Sequence, residues 1–169
     1  PDLRVMNCSS PSTSRYAARQ SFDAGGPLYV RVEKGLVEED DIPLKDMSNG
    51  FVLRHEGTSR TAIVSTGLIP PDVVDLAIRK NVTLVDLFSF NYCEVSEYVN
   101  YLCTFNKIIC VEEGYAFGLT SVLARLLMQK KWIGNGGFHS ISVPHKFVCR
   151  YGTRDHLREL NGLGLHDIE

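Results

Sequence analysis

The sequence lacks an apolar run long enough to cross a membrane, because none of its windows of about 18 residues is apolar throughout. It also lacks an excess of charge of one sign: 18 lysines and arginines stand against 20 aspartates and glutamates, a formal net charge of −2. A nucleic-acid-binding protein normally carries a basic stripe, and the densest basic cluster here is the pair Lys130 and Lys131. We therefore expect neither a membrane nor a nucleic acid as a partner.

The motifs of common catalytic and cofactor sites are missing too. There is no GxGxxG, GxxxxGK[ST], HExxH or GxSxG motif, and cysteines and histidines do not cluster at zinc spacing. We therefore expect neither a metal site nor a complete nucleotide-binding enzyme in this chain. Surface or packing roles are expected for the histidines, which are His55, His139, His145, His156 and His166.

The cysteines lack the pattern of a disulfide framework. They are odd in number and form no CxxC pair: Cys8, Cys93, Cys103, Cys110 and Cys149. Reduced thiols are typical of cytosolic proteins, so we predict free cysteines and a cytoplasmic location. The chain begins at Pro1 without a signal pattern, which suggests a processed product or a piece of a longer protein.

What the sequence does contain is the alternation of strands and helices typical of an α/β protein. Residues 3–6 and 28–32 are predicted strands around a helix at 15–22, whose apolar positions are Tyr16, Ala17 and Phe22. A crossover of that length predicts a parallel pair of strands. Residues 36–60 are predicted to connect two domains, and the acidic run 38–41 within them is interpreted as a solvated face.

The rest of the chain repeats a strand-then-helix rhythm. Strands are predicted at 62–66, 82–88, 107–111 and 138–143. One helix is predicted to begin at the prolines at 70–71, and three others are predicted at 95–102, 118–132 and 153–160. This alternation predicts a three-layer α/β sandwich with a mostly parallel sheet, preceded by the strand–helix–strand fragment of a second α/β domain. The aromatic-rich segment between two of these elements is assigned to a core or a subunit interface: Phe88, Phe90, Tyr92, Tyr98 and Tyr101.

Two groups of charged residues are candidates for a site. Glu112 and Glu113 follow the apolar strand 107–111, at the carboxyl end where sites occur in open α/β sheets. Each could act as an acid or base, or could bind local backbone amides or a neighbouring subunit. Arg31 and Lys34, at the end of strand 28–32, could hold a phosphate or carboxylate or could form an ordinary surface pair.

Taken in order, these segments resemble the transketolase family of thiamine-diphosphate enzymes. Residues 109–114 with 117–119 resemble the family's "vvvEE…GGlG" stretch, and 61–67 its "tiiatG" strand. Similar matches run in the family's order along nearly the whole chain, at 1–5, 10–24, 26–35, 85–90, 143–147, 152–154 and 164–168. The resemblance implies three parts: the tail of a pyrimidine-binding domain at 1–36, a linker at 37–60 and a transketolase C-terminal domain at 61–169.

The resemblance also implies an activity for the parent enzyme, the transfer of a two-carbon ketol unit between sugar phosphates. Thiamine diphosphate and magnesium would be held by earlier domains, so no cofactor is expected on this fragment, which would support a homodimer and be inactive alone. Arg31 matches the first basic position of the family's "R-x-x-R-G"-like strand end. Lys34 matches the second, the phosphate-binding arginine. Glu113 is expected to be a structural anion.

Two alternative functions remain. The chain could be a non-catalytic docking module, or the β subunit of a 2-oxoacid dehydrogenase. A thiamine-diphosphate site upstream in the natural protein would favour either enzyme, and a requirement for an α-subunit partner would favour the dehydrogenase.

Overall fold

The computed structural model describes residues 3–23, 25–34, 40, 42–91 and 97–163. Its regular elements follow one another in the predicted rhythm, with a short 3-10 helix at Leu44–Met47. They are β1 (Arg4–Asn7), α1 (Pro11–Asp23), β2 (Leu28–Arg31), β3 (Phe51–His55), β4 (Thr61–Ser65), α2 (Pro71–Arg79), β5 (Thr83–Leu87), β6 (Ser89–Asn91), α3 (Glu97–Leu102), β7 (Lys107–Tyr115), α4 (Leu119–Gln129), β8 (Gly137–Val143) and α5 (Arg154–Leu160).

The first two strands, β1 and β2, are parallel neighbours joined through α1, as predicted. The helix begins at Pro11, earlier than the predicted start at Arg15, because Ser10 caps it. The Ser10 backbone N–H donates to Thr13 Oγ1 at 2.9 Å, and the Thr13 N–H donates to Ser10 Oγ at 3.3 Å. The prediction of Phe22 as an apolar contact was wrong. This side chain is 90% exposed, because the helix packs through the face that carries Ala17.

A second, larger sheet holds the other strands in the order β3-β5-β4-β7-β8 among the described residues. All its pairings are parallel except that of the edge strand β3 with β5. Beyond β5 the chain turns back across β4 and continues to β7 and β8, so the strand order reverses between β4 and β7. Such a reversal opens a crevice at the carboxyl ends of the two strands.

The large sheet is covered on both faces, which confirms the three-layer α/β prediction. Ala62 and Val64 of β4 point to the face covered by α3 and α4, and Ile63 between them points to the face covered by α2. Burial on both sides explains the apolar runs 62–64 of β4 and 108–111 of β7. No helix among the described residues is long and apolar enough to span a membrane.

The small sheet gains its third strand from the second half of the chain. β6 pairs antiparallel with β1 on the side opposite β2. The sequence prediction of one strand over 82–88 was incomplete, because the chain leaves the large sheet after Leu87 and enters the small one at Ser89. This step ties the two sheets together.

The predicted roles of the aromatic and cysteine residues agree with the structure where it describes them. Phe88, Phe90 and Tyr98 are buried, and Tyr101 stacks on Phe51 with ring centroids 5.3 Å apart, so the core assignment is confirmed for these residues. Tyr92 lies outside the described residues. The described cysteines are free, and Cys93 lies outside them: the free ones are Cys8, Cys103, Cys110 and Cys149.

A polar cluster joins the start of α1 to the large sheet. The Arg54 guanidinium on β3 donates from Nε and Nη2 to Asp86 Oδ2 on β5, at 2.9 and 2.7 Å, and from Nη2 to Ser9 Oγ at 3.0 Å. Ser9 Oγ in turn donates to Asp86 Oδ2 at 2.5 Å. Asp86 is fully buried, so its charge depends on these partners.

Asp40 completes the cluster and corrects the interpretation of the acidic run as a solvated face. Its Oδ2 accepts from Arg54 Nη1 at 2.9 Å, and its Oδ1 accepts from the Ser12 backbone N–H at 2.9 Å. The other acids of the run, at 38, 39 and 41, lie outside the described residues. Partial burial acts to raise the pKa of Asp40, but hydrogen bonds from Ser10, Ser12 and Arg54 outweigh it and lower that pKa to about 2. The predicted domain boundaries stay a prediction, although β3, inside the predicted linker, belongs to the large sheet.

Candidate functional site

A cleft of about 380 Å³ lies where the carboxyl ends of the two sheets meet. Asn7 and Arg31 close β1 and β2 on one side of it. Thr66, directly after β4, and Glu113, near the end of β7, lie on the other side, at the reversal of strand order. Ligand sites of open α/β sheets occur at this position, so the topology makes the cleft the leading candidate.

Glu112 lines this cleft, but its carboxylate accepts hydrogen bonds from the N-terminus of α4. Its Oε2 accepts from the Leu119 backbone N–H at 2.9 Å and its Oε1 from the Thr120 N–H at 3.0 Å. Gly118 allows this approach, since a Cβ there would lie 2.5 Å from Glu112 Oε2. Of the alternatives left by the sequence, binding to local backbone amides is right for Glu112. The N-terminus of α4 is therefore already occupied by a carboxylate.

Glu113 belongs to a chain of ion pairs along the cleft wall. Arg154 on α5 donates from Nε to Glu113 Oε2 at 2.7 Å and from Nη1 to Glu33 Oε2 at 3.2 Å. Arg158 Nε lies 3.1 Å from Glu113 Oε1, and Arg31 Nη2 lies 3.5 Å from Glu33 Oε1. Burial acts to lower the pKa of Arg154, but the hydrogen bond to Glu113 and the charges of Glu113 and Glu33 raise it. Glu113 is thus a structural anion at a strand end.

Of the two predicted binding residues, one lines the cleft and the other lies outside its lining. Arg31 lines it with a side chain that is 49% exposed. Lys34 is exposed and does not belong to the lining. The charged residues that sequence reasoning missed are Glu33 and Arg154. Their contact joins positions 121 residues apart, and no local pattern signals such a pair.

The uncharged lining is mostly aromatic. Tyr29 and Phe90 come from the small sheet, and Tyr115 and Phe117 follow the end of β7. At the base, Asn7 Oδ1 and Thr66 Oγ1 are buried without a hydrogen-bond partner among the described residues. The charged groups that border the cleft are held in ion pairs or in a helix cap. Such an arrangement suits binding rather than proton transfer.

No family model and no curated protein matches this sequence. Solved structures are nevertheless similar to this chain. A split-gene transketolase in an inactive β4 tetramer is 18% identical with a TM-score of 0.71, over 99% of this chain and 55% of that one. Transketolase from Leishmania mexicana is 14% identical with a TM-score of 0.60, over 96% of this chain and 23% of that one. The chain thus spans about half of the first protein and about a quarter of the second.

The chain has a transketolase-like fold. The fold class predicted from the sequence, that of a transketolase C-terminal domain, is therefore confirmed. Thiamine diphosphate and Mg²⁺, the cofactors that the sequence resemblance implies for the parent enzyme, do not fit the described part of this chain. Glu112 fills the N-terminus of α4 at the cleft, where a diphosphate would need free backbone N–H groups. No group of His, Cys, Asp or Glu in the described part is arranged to hold a metal ion.

Proposed function

We propose that this chain is the C-terminal portion of a thiamine-diphosphate-dependent, transketolase-like enzyme that transfers a two-carbon ketol unit between sugar phosphates. The observation that carries the proposal is the similarity of both sheets together to a split-gene transketolase, over 99% of this chain at a TM-score of 0.71. A shared C-terminal domain alone would have left β1, α1 and β2 unmatched. Because the described residues do not fit the cofactor, we assign thiamine diphosphate and magnesium to other parts of a cytoplasmic parent enzyme.

The role proposed for this portion is to support a homodimer. Large apolar side chains stay exposed on the segments around β8 and α4, at Phe117 (70%), Phe147 (93%) and Tyr151 (99%). Apolar surface of this kind is typical of subunit interfaces. Light scattering should give the mass of a dimer for the parent protein, and Tyr151→Asp should shift it toward the monomer. A monomeric parent would contradict this role.

Arg31 and Lys34 are the proposed contacts to a substrate phosphate. Both side chains are exposed, and among the described residues Arg31 uses its guanidinium in one ion pair, of 3.5 Å, which leaves donors for a ligand. Lys34→Ala should raise the KM for phosphorylated donors by about tenfold, because a charged hydrogen bond contributes roughly 1.5–3 kcal/mol. Lys80→Ala, at the exposed end of α2, is the control. An unchanged KM would remove Lys34 from the site.

The activity itself is tested on the natural protein that contains this chain. With thiamine diphosphate, magnesium, xylulose 5-phosphate and ribose 5-phosphate, we expect release of glyceraldehyde 3-phosphate that depends on the cofactor. A protein that binds the cofactor without releasing this product would point to another substrate, such as a 2-oxoacid. A folded protein that binds no cofactor would contradict the enzyme and favour a docking module.

A further inference from the structure

The charged side chains that line the cleft carry no excess of positive charge: Arg31 and Arg154 stand against Glu33, Glu112 and Glu113, of which Glu112 caps α4. Three guanidinium groups and three carboxylates alternate along the cleft and behind it: Arg31, Glu33, Arg154, Glu113, Arg158 and Asp72. Arg154 pairs with two carboxylates and Glu113 with two guanidiniums, although Glu113 Oε1 accepts no hydrogen bond among the described residues. The pair at the open end is the loosest, because Arg31 and Glu33 meet only at 3.5 Å and Arg31 is half exposed.

This balance excludes some ligands and favours others. A polyphosphate would add several negative charges to a neutral set of ion pairs, and the N-terminus of α4, which could compensate them, is capped by Glu112. A zwitterion adds no net charge. Its carboxylate can take the free donors of Arg31, and its ammonium can donate to the Glu33 carboxylate beside it.

The uncharged residues that line the cleft indicate the chemistry of the rest of the ligand. Tyr29, Phe90 and Tyr115 line the same cleft as Arg31 and Glu33. The volume of about 380 Å³ is at the small end of ligand sites, which suits a molecule with one apolar group. We propose that this cleft binds a free α-amino acid with an aromatic or large apolar side chain. The amino acid would compete with the proposed substrate phosphate for Arg31, but the proposal does not depend on the transferase activity, because binding is measured without turnover.

The test is calorimetric titration of the natural protein that contains this chain with three probes of the same ring and different charge. L-phenylalanine carries both charges, 3-phenylpropionate only the carboxylate, and phenethylamine only the ammonium. We expect L-phenylalanine to bind and each analogue to bind at least about tenfold more weakly, since each loses one charge-assisted contact. Equal binding of L-phenylalanine and 3-phenylpropionate, or no binding of L-phenylalanine, would overturn the proposal.

Variants locate the binding. Arg31→Gln and Glu33→Gln should each weaken binding of L-phenylalanine by about tenfold or more, and Arg31→Gln should leave the weak binding of phenethylamine unchanged. Arg79→Gln, an exposed arginine at the end of α2 outside the cleft, is the matched control and should bind as the parent protein does. Near-ultraviolet circular dichroism verifies that the variants fold. Binding that survives both cleft substitutions in folded protein would refute the assignment.

Discussion

Replacing Arg54 by methionine tests whether the two sheets are held together by a buried charge cluster. The substitution keeps the unbranched carbon chain and removes the guanidinium that donates twice to Asp86, once to Asp40 and once to Ser9. Asp86 is fully buried, so in the variant its carboxyl keeps only the hydroxyl of Ser9. The variant therefore leaves a buried acid without its counter-ion.

The size of the effect follows from that unpaired acid. Removing one partner of a buried ion pair lowers the free energy of unfolding by about 3–5 kcal/mol. Burial already raises the pKa of the Asp86 carboxyl, and the charge of Arg54 and the hydrogen bond from Ser9 only partly offset this. Without Arg54 that pKa rises further, so the folded variant keeps a proton that the unfolded chain gives up. Its stability should therefore fall as the pH rises through the folded pKa of Asp86.

Urea unfolding followed by circular dichroism measures both features. We expect Arg54→Met to destabilise by about 3 kcal/mol or more at pH 8, and by less at pH 5, where Asp86 is more readily protonated. In a double-mutant cycle with Asp86→Asn, the two substitutions should be non-additive by about 1 kcal/mol or more. Arg60→Met is the control, because Arg60 is exposed and its guanidinium, within the described part of the chain, donates to the Thr104 carbonyl alone. An Arg54→Met variant as stable as this control, or additive energies, would refute the reasoning.

The remaining predictions concern single groups. Glu112→Gln should destabilise by about 1–2 kcal/mol in thermal unfolding, because one amide oxygen replaces the carboxylate that accepts from two backbone N–H groups; an unchanged melting temperature would contradict the cap. The depressed pKa of Asp40, about 2, adds stability above its unfolded pKa that is lost as the pH falls toward 2. Asp40→Asn should therefore make the free energy of unfolding depend less steeply on pH at acidic pH. An unchanged slope would contradict this prediction. Burial raises the pKa of Cys110 to about 12, whereas Cys149 is exposed. Cys149→Ser should thus slow the reaction of the native protein with Ellman's reagent and Cys110→Ser should not; the reverse order would exclude the burial.

The elements of the large sheet could be predicted because local pattern and final environment agree there. The apolar runs 62–64 and 108–111 both lie in strands that are buried on two faces. The helical spacing of Leu119, Val122 and Leu126 places one face of α4 in the core. The ends were less predictable. Strand β7 continues to Tyr115 through an irregularity in its pairing with β8 between Glu112 and Tyr115.

The candidate site could be predicted only in part. The position of Glu112 and Glu113 at a strand end followed from the order of strand and helix, and so did the place of Arg31 at the end of β2. The sequence did not predict which groups these side chains contact. Glu112 binds the N-terminus of α4 because Gly118 leaves room for its carboxylate. Glu113 pairs with Arg154 because α5 lies beside the end of β7.

The local elements, their alternation and thus the α/β class follow from the amino-acid order alone, because each depends on the polarity and shape of residues a few positions apart. Three features arise instead from long-range contacts: β6 completes the small sheet, Arg54 neutralises Asp86, and the ends of both sheets enclose one cleft. These contacts join residues far apart in the chain. They form because a buried charge requires a counter-ion and an edge strand requires a hydrogen-bonding partner, requirements that no single segment reveals.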